Sequence, residues 1–158
     1  FSLEPMLGRS PEEVEHLVGP WVEDFIEPII FSDATRTIAA HRAAGDRILI
    51  ISASGVHLVQ PIAERLGVDD VLAIDLELNH GSYSGNTVGV FTYREGKIKR
   101  LREWMHDEGE TLEGASFYSD SRNDLPLLLE VPFPHAVNPD PVLREHAEKA
   151  GWPIHHWR

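Results

Sequence analysis

The chain has 158 residues, 42% of them hydrophobic and 25% charged, which fits one soluble globular domain and not a disordered chain. Its net charge of −12 disfavours nucleic acid and anionic membranes as partners, and the sequence has neither a signal peptide nor an apolar run of about 18 residues that would span a bilayer. Because neither segment is found, we predict a cytoplasmic protein. The absence of cysteine excludes disulfides and thiolate metal ligands but does not by itself fix the redox compartment.

Two helices are predicted in the first part of the chain. Ser10 as N-cap, Pro11 at the first helical position and Glu13 at the third form a capping box that starts the first helix. Gly19-Pro20 is expected to break or kink this helix, because proline lacks an N–H group and clashes with the preceding turn. A second helix is predicted over 32–44, closed by a glycine C-cap.

Strand signals begin near the middle of the chain. The run 47–52 is mostly apolar and β-branched, which predicts a buried central strand of a parallel sheet. A helix over 55–66 and a strand over 71–74 follow. The turn-rich segment 79–85 between strand-like flanks then predicts an antiparallel hairpin.

The remaining elements alternate in the same way. We predict a helix over 95–106, a strand over 116–119, a helix over 125–130, a strand over 135–137, a helix over 141–150 and an edge strand over 154–157. Strands that alternate with helices over this length predict an α/β fold with a doubly wound, mostly parallel Rossmann-like sheet, into which the hairpin is inserted.

Two carboxylates mark the point where the strand at 116–119 gives way to a helix. Asp120 and Asp124 follow that strand closely, and ligands of open α/β sheets bind at the carboxyl ends of the strands. Oxygen ligands with few protein contacts suit Mg²⁺, which keeps several waters and is completed by substrate phosphate. The alternative is that Asp120 caps the helix and Asp124 complements its dipole.

Two further positions are candidates for a phosphate site. Ser52 ends the apolar strand and offers a hydroxyl next to the backbone N–H groups of a helix start. The alternative is that Ser52 or Ser54 caps that helix. Lys97 stands at a helix start, where a cation is unfavourable for the dipole, so it is either placed for an anion or a solvated surface lysine. Together with the carboxylates, these groups would neutralise a phosphoryl group during transfer.

In this order the motifs resemble those of the haloacid dehalogenase superfamily, in particular its phosphoserine phosphatase-like branch, subfamily IB. The stretch 48–54 is similar to that family's second motif, 96–104 to its third and 118–128 to its fourth. The resemblance implies that 1–30 is the remainder of a small helical cap and 31–158 the phosphohydrolase core.

The resemblance also implies a role for each candidate residue. The implied phosphate-binding residues are Ser52, Ala53, Lys97 and Asn123. The implied catalytic residues are Ser52, Lys97, Asp120 and Asp124. Asp120 would ligate Mg²⁺, and Asp124 would hold a metal-bound water or orient Lys97.

One motif of the family has no counterpart here. The first motif, Asp-x-Asp-x-Thr after a strand, supplies the nucleophile that becomes an aspartyl phosphate, and the chain does not contain it. Asp75 and Glu77 follow a strand, but they come after the second motif and have Asn79 where threonine belongs, so we interpret them as hairpin residues. We expect that about 50 to 70 residues, at typical element lengths, precede Phe1 in the complete protein. The chain alone should bind metal poorly and turn over little.

For the complete protein, the resemblance implies Mg²⁺-dependent hydrolysis of a small phosphomonoester: phosphoserine, histidinol phosphate or a related amino-alcohol phosphate. The main alternative is a non-catalytic metal- or phosphate-binding module on the same fold. A phosphoacceptor receiver domain would need another order of Asp, Ser or Thr, and Lys. A dinucleotide-binding domain would need a Gly-x-Gly-x-x-Gly loop, which is absent. Nothing in the sequence indicates the oligomeric state.

Overall fold

Helices and strands alternate along the chain, as the sequence predicts for an α/β protein. The computed structural model describes residues 3–158, and their contacts divide them into two units with the boundary between Thr92 and Tyr93. Each unit contains one three-stranded sheet. Within the described residues, no helix is both long and apolar enough to cross a bilayer.

The first unit combines a mixed sheet with three helices. Its elements are α1 (Pro11–Trp21), α2 (Ser32–Ala43), β1 (Leu49–Gly55), α3 (Val56–Leu66), β2 (Asp70–Asn79) and β3 (Ser82–Val88). β1 pairs with β2 in parallel, and β2 pairs with β3 in the antiparallel sense. The predicted hairpin is therefore confirmed.

The start of α1 follows its capping box. Ser10 Oγ accepts a hydrogen bond from the Glu13 backbone N–H at 3.2 Å. The helix runs through Pro20 and then widens into a π-helical turn over Val22–Ile26, so Pro20 alters the helix without ending it. Val14, Val18 and Val22 share a buried cluster with side chains of α3 and the hairpin, and each such burial contributes about 1.5–3 kcal/mol.

The hairpin turn is tighter than its sequence indicates. Asn79 pairs with Ser82, so the loop is only His80 and Gly81, both with positive φ (52° and 80°). Positive φ at both loop residues is the mark of a type I′ turn, whose twist matches that of the flanking strands. The residues from Ser82 onward belong to β3, although their composition is typical of a turn.

The second unit has an all-parallel sheet. Its elements are α4 (Glu95–Glu108), β4 (Ser116–Ser119), α5 (Leu125–Leu128), β5 (Phe133–Val137), α6 (Pro141–Ala150) and β6 (Ile154–His155). The strand order is β4-β5-β6. Leu128, Ala136, Leu143 and Ala147 form the buried core between this sheet and its helices.

The structure differs from the sequence prediction in the place of β1. Among the described residues β1 pairs with β2 alone, so it lies at a sheet edge, and Leu49 to Ser54 are half-buried. A run of apolar residues predicts that the strand is buried, but it does not predict how many strands pair with it. The boundary predicted at residue 30 stays a prediction, although α1 packs on α3 within one unit.

Candidate active site

The candidate site in the second unit centres on a buried ion pair. Lys97 Nζ lies 2.7 Å from Asp124 Oδ1, and the Ser119 hydroxyl donates to Asp124 Oδ2 at 2.5 Å. Lys97 is only 7% exposed and Asp124 8%. Lys97 is therefore not a solvated surface lysine, and both oxygens of Asp124 are engaged. A buried charge is tolerated when it is paired and hydrogen-bonded in this way.

Local structure explains how the two charges meet. Lys97 lies in the first turn of α4 on the same side as Leu101, and these two residues are the buried ones of that helix; residues four apart share a helix face. Asp124 closes a short 3-10 turn, Arg122–Asp124, that follows β4. The strand end and the helix face thus bring the carboxylate and the ammonium together.

Asp120 remains available for a ligand. It is exposed at the carboxyl end of β4, and the N-cap of the next turn is Ser121, whose hydroxyl accepts from the Asn123 backbone N–H at 3.1 Å. The alternative that Asp120 is the helix cap is therefore wrong. Across residues 3–158 the Asp120 carboxylate has no hydrogen bond or ion pair, while its backbone carbonyl accepts from the Asp140 N–H at 3.0 Å.

Asp140 fixes the loop that follows β4, and it was not among the predicted site residues. Its side chain accepts from the Leu143 N–H at 2.8 Å as the cap of α6 and from the Arg122 N–H at 2.6 Å. Burial alone would raise the pKa of Asp140, but these backbone hydrogen bonds and the Arg122 charge outweigh it and lower the pKa. The Asp-Pro start of the predicted helix was a usable signal for the cap.

Asn123 faces a residue with an unusual backbone. Arg94 Nε donates to Asn123 Oδ1 at 3.4 Å. Arg94 has φ 52° and ψ −120°, and the Gly96 N–H donates to the Tyr93 carbonyl at 2.9 Å. These values match a type II′ turn with Arg94 at the position that glycine dominates. No sequence pattern flagged this residue.

Ser52 and Ala53 belong to the first unit. The Ser52 hydroxyl accepts from the Ser54 N–H at 3.1 Å, and its carbonyl accepts from the Thr92 hydroxyl at 2.5 Å. The N-cap of α3 is Gly55, so neither serine caps the helix. The structure thus brings Lys97 together with Asp124. Ser52 is hydrogen-bonded within the first unit, to Ser54 and Thr92.

Two other expectations concern carboxylates. Asp75 pairs with Val88 in the hairpin, which agrees with the interpretation of Asp75 and Glu77 as hairpin residues.

Within the described part of the chain, no group of three or more His, Asp or Glu side chains is arranged to hold a metal ion. Mg²⁺ usually takes only one or two carboxylates from the protein, so Asp120 by itself is compatible with such an ion.

Comparison with known proteins gives a consistent family. A family model described as haloacid dehalogenase-like hydrolase matches residues 2–129. A histidinol-phosphatase of Neisseria meningitidis serogroup C (strain 8013) is 37% identical over 158 residues, which cover 98% of this chain and 71% of the relative. A phosphoserine phosphatase of Mycobacterium tuberculosis (strain ATCC 25618 / H37Rv) is 33% identical over 151 residues, which cover 96% of this chain and 49% of that protein.

A solved structure agrees with the fold. The crystal structure of a protein from Bordetella pertussis Tohama I superposes with a TM-score of 0.90 and 36% identity, covering 94% of this chain and 68% of that one. The chain therefore spans between about half and about seven tenths of the length of these relatives. The hydrolase family model and the names of the relatives support a phosphatase.

Proposed function

This chain belongs to the haloacid dehalogenase-like hydrolases, and from that membership we propose that the complete protein hydrolyses a small phosphomonoester with Mg²⁺ as its cofactor. The observation that carries the proposal is the buried pair of Lys97 and Asp124, held by Ser119. An ammonium fixed in a place with little water acts on developing negative charge far more strongly than a mobile surface lysine.

The polar groups divide between phosphate and metal. We propose Ser52, Ala53, Lys97 and Asn123 as the phosphate-binding residues. Asp120 would hold Mg²⁺ directly, and Asp124 would reach it only through a water. The engagement of both Asp124 oxygens favours its second role, which is to orient Lys97. Bound Mg²⁺ would neutralise charge on the phosphoryl oxygens.

In the proposed reaction, an aspartate carboxylate of the complete protein attacks the phosphorus and the P–O bond to the substrate alcohol breaks. The leaving oxygen takes a proton from a general acid that the same motif supplies two residues after this nucleophile. Water then hydrolyses the aspartyl phosphate, which releases inorganic phosphate and restores the carboxylate. Lys97 and the Ser52 hydroxyl stabilise the negative oxygens of the transferring group in both steps. Residues 1–158 contain no counterpart of the motif that supplies this nucleophile, so the reaction is proposed for the complete protein only.

The proposed substrates are phosphoserine, histidinol phosphate or a related amino-alcohol phosphate. The names of the Neisseria and Mycobacterium relatives support the first two. We propose that residues 1–30 are part of a helical cap and that 31–158 form the core. A cap over the site would limit the substrate to a small metabolite.

The test is phosphate release by the complete protein and by the 158-residue chain, each with Mg²⁺ or with a chelator. The substrates are phosphoserine, histidinol phosphate and phosphoethanolamine. We expect turnover only by the complete protein with Mg²⁺. Asp120→Asn should abolish it, whereas Asp107→Asn, at an exposed aspartate on α4, should not.

Full activity of the Asp120→Asn variant would contradict the proposed metal role. Mg²⁺ or phosphate binding by the complete protein without turnover of any substrate would favour the alternative function, a non-catalytic binding module on the same fold. That alternative rests on the missing nucleophile motif.

A further inference from the structure

β1 leaves its parallel ladder before its last residue. It pairs with β2 at Ile51 and Leu72, and next at Gly55 and Ile74. The segment 52–54 of β1 therefore lies opposite a single residue of β2. Such a bulge takes backbone groups out of the regular ladder, and buried groups of this kind need partners elsewhere.

Thr92 supplies one of these partners. Its hydroxyl donates to the Ser52 carbonyl across 40 positions of sequence, and its side chain is 0% exposed. A valine at this position would have nearly the same shape but would leave the part-buried Ser52 carbonyl without that donor, and the loss of a hydrogen-bond donor there costs free energy. The carbonyl that it contacts thus explains why a buried residue at this position is a threonine.

The bulge is also fixed from within. The Ser52 hydroxyl accepts from the Ser54 N–H at 3.1 Å, which curls the backbone around Ala53. Thr92 holds the carbonyl of the same serine. One bond engages the side chain of Ser52 and the other engages its carbonyl, so together they restrain the Ser52 side chain and the peptide unit that carries the Ala53 N–H.

We propose that Thr92 is a positioning residue, whose hydroxyl holds the bulge 52–54 in the shape that binds phosphate. The inference rests on the proposed function, in which Ser52 and Ala53 bind the substrate phosphate. A purely structural Thr92 would tie the chain after β3 to β1, and its loss would lower stability alone. A positioning Thr92 also controls the affinity for phosphate.

The test compares Thr92→Val with Thr92→Ser in the complete protein, with Thr87→Val as the matched control. Thr87 lies exposed on β3, so its replacement changes the same atoms away from the bulge. The readouts are the dissociation constant of inorganic phosphate by calorimetric titration with Mg²⁺ present, the thermal midpoint, and phosphate release. We expect Thr92→Val to weaken phosphate binding about tenfold, as for one lost hydrogen bond.

Thr92→Ser keeps the hydroxyl and should bind phosphate like the wild type, as should Thr87→Val. The valine change should also cost less affinity in a Ser52→Ala background than in the wild type, because residues that act through one another are not additive. If Thr92→Val does not fold, Thr92→Cys replaces it. Cysteine and serine differ by one atom, and only serine is a strong donor.

Equal phosphate affinity of the valine and serine variants would overturn the inference, as would absence of phosphate binding by the wild type. Phosphate binding that depends on the Thr92 hydroxyl, without turnover of any phosphomonoester, would support the inference while contradicting the proposed function. Phosphomonoester turnover and phosphate binding that do not change when the Thr92 hydroxyl is removed would support the proposed function while contradicting the inference.

Discussion

Replacing Lys97 with methionine removes the charge from a pair whose side chains are 9% and 11% exposed. Methionine keeps most of the apolar stem, so the main change is electrostatic. Asp124 would retain the hydrogen bond from Ser119 but would become a buried carboxylate without a counter-charge. Breaking a buried pair in this way costs about 3–5 kcal/mol, and we expect the free energy of unfolding of the complete protein to fall by that amount.

A second variant separates charge from packing. In the double variant Lys97→Met with Asp124→Asn, both side chains are neutral, and the amide oxygen at position 124 can still accept the hydrogen bond from the Ser119 hydroxyl. The double variant should therefore recover most of the stability that Lys97→Met loses. Urea unfolding at neutral pH, followed by tryptophan fluorescence, measures both variants. The control is Arg102→Met, which breaks an ion pair with Glu130 whose side chains are 62% and 42% exposed, and about 0–1 kcal/mol is expected there.

The reasoning would be refuted if Lys97→Met cost no more than Arg102→Met, or if the double variant were less stable than Lys97→Met. Phosphate release should be lost in both Lys97 variants, because neither carries the ammonium. The double variant would then recover stability while remaining inactive.

Three further predictions concern other parts of the chain. Asp140→Ala should cost about 0.5–2 kcal/mol as a lost cap. Folding lowers the pKa of Asp140 below its ordinary value of 3.8, so the carboxylate stabilises the fold above pH 3.8, and this stability is lost as the pH falls through the lowered pKa. The difference in thermal midpoint between the wild type and Asp140→Ala should therefore vanish on acidification. A difference that persists in acid would refute this. Arg94→Gly should raise the thermal midpoint by relieving a strain of about 1–3 kcal/mol, and a lower midpoint would show that the arginine side chain contributes more than the strain costs. Asp75→Ala with Glu77→Ala should leave phosphate release intact, and loss of activity in a folded variant would mean that these hairpin carboxylates have a catalytic role.

Local signals predicted most of the elements. The capping box at Ser10, Pro141 at the first position of α6 and the glycine after α2 each act within one turn, and the structure has helix ends there. The hairpin was found for the same reason, although its turn proved shorter. The edge position of β1 was not predictable, because it depends on which strands lie beside it and not on its own side chains.

The candidate site was predicted only in part. Lys97 attracted notice because a cation at a helix start opposes the dipole, but its burial against Asp124 depends on a contact across 27 positions of sequence. Ser119 and Thr92 were missed because Ser119 acts on another side chain and Thr92 on loop backbone, and a polar residue with such a partner carries no sequence pattern of its own. Asp140 was missed although its place before Pro141 is a usable signal for a helix cap, and its second contact, with the Arg122 N–H, is not local in sequence.

The edge strands of the two sheets bear on how residues 1–158 behave when produced alone. Among the described strands, β1, β3, β4 and β6 each pair with a single strand, and β1 and β4 carry apolar side chains. Such edges are templates for pairing with any extended segment, including the same strand of another molecule. Association that increases with protein concentration, and that weakens when a lysine replaces Ile50, would identify the edge of β1 as its origin.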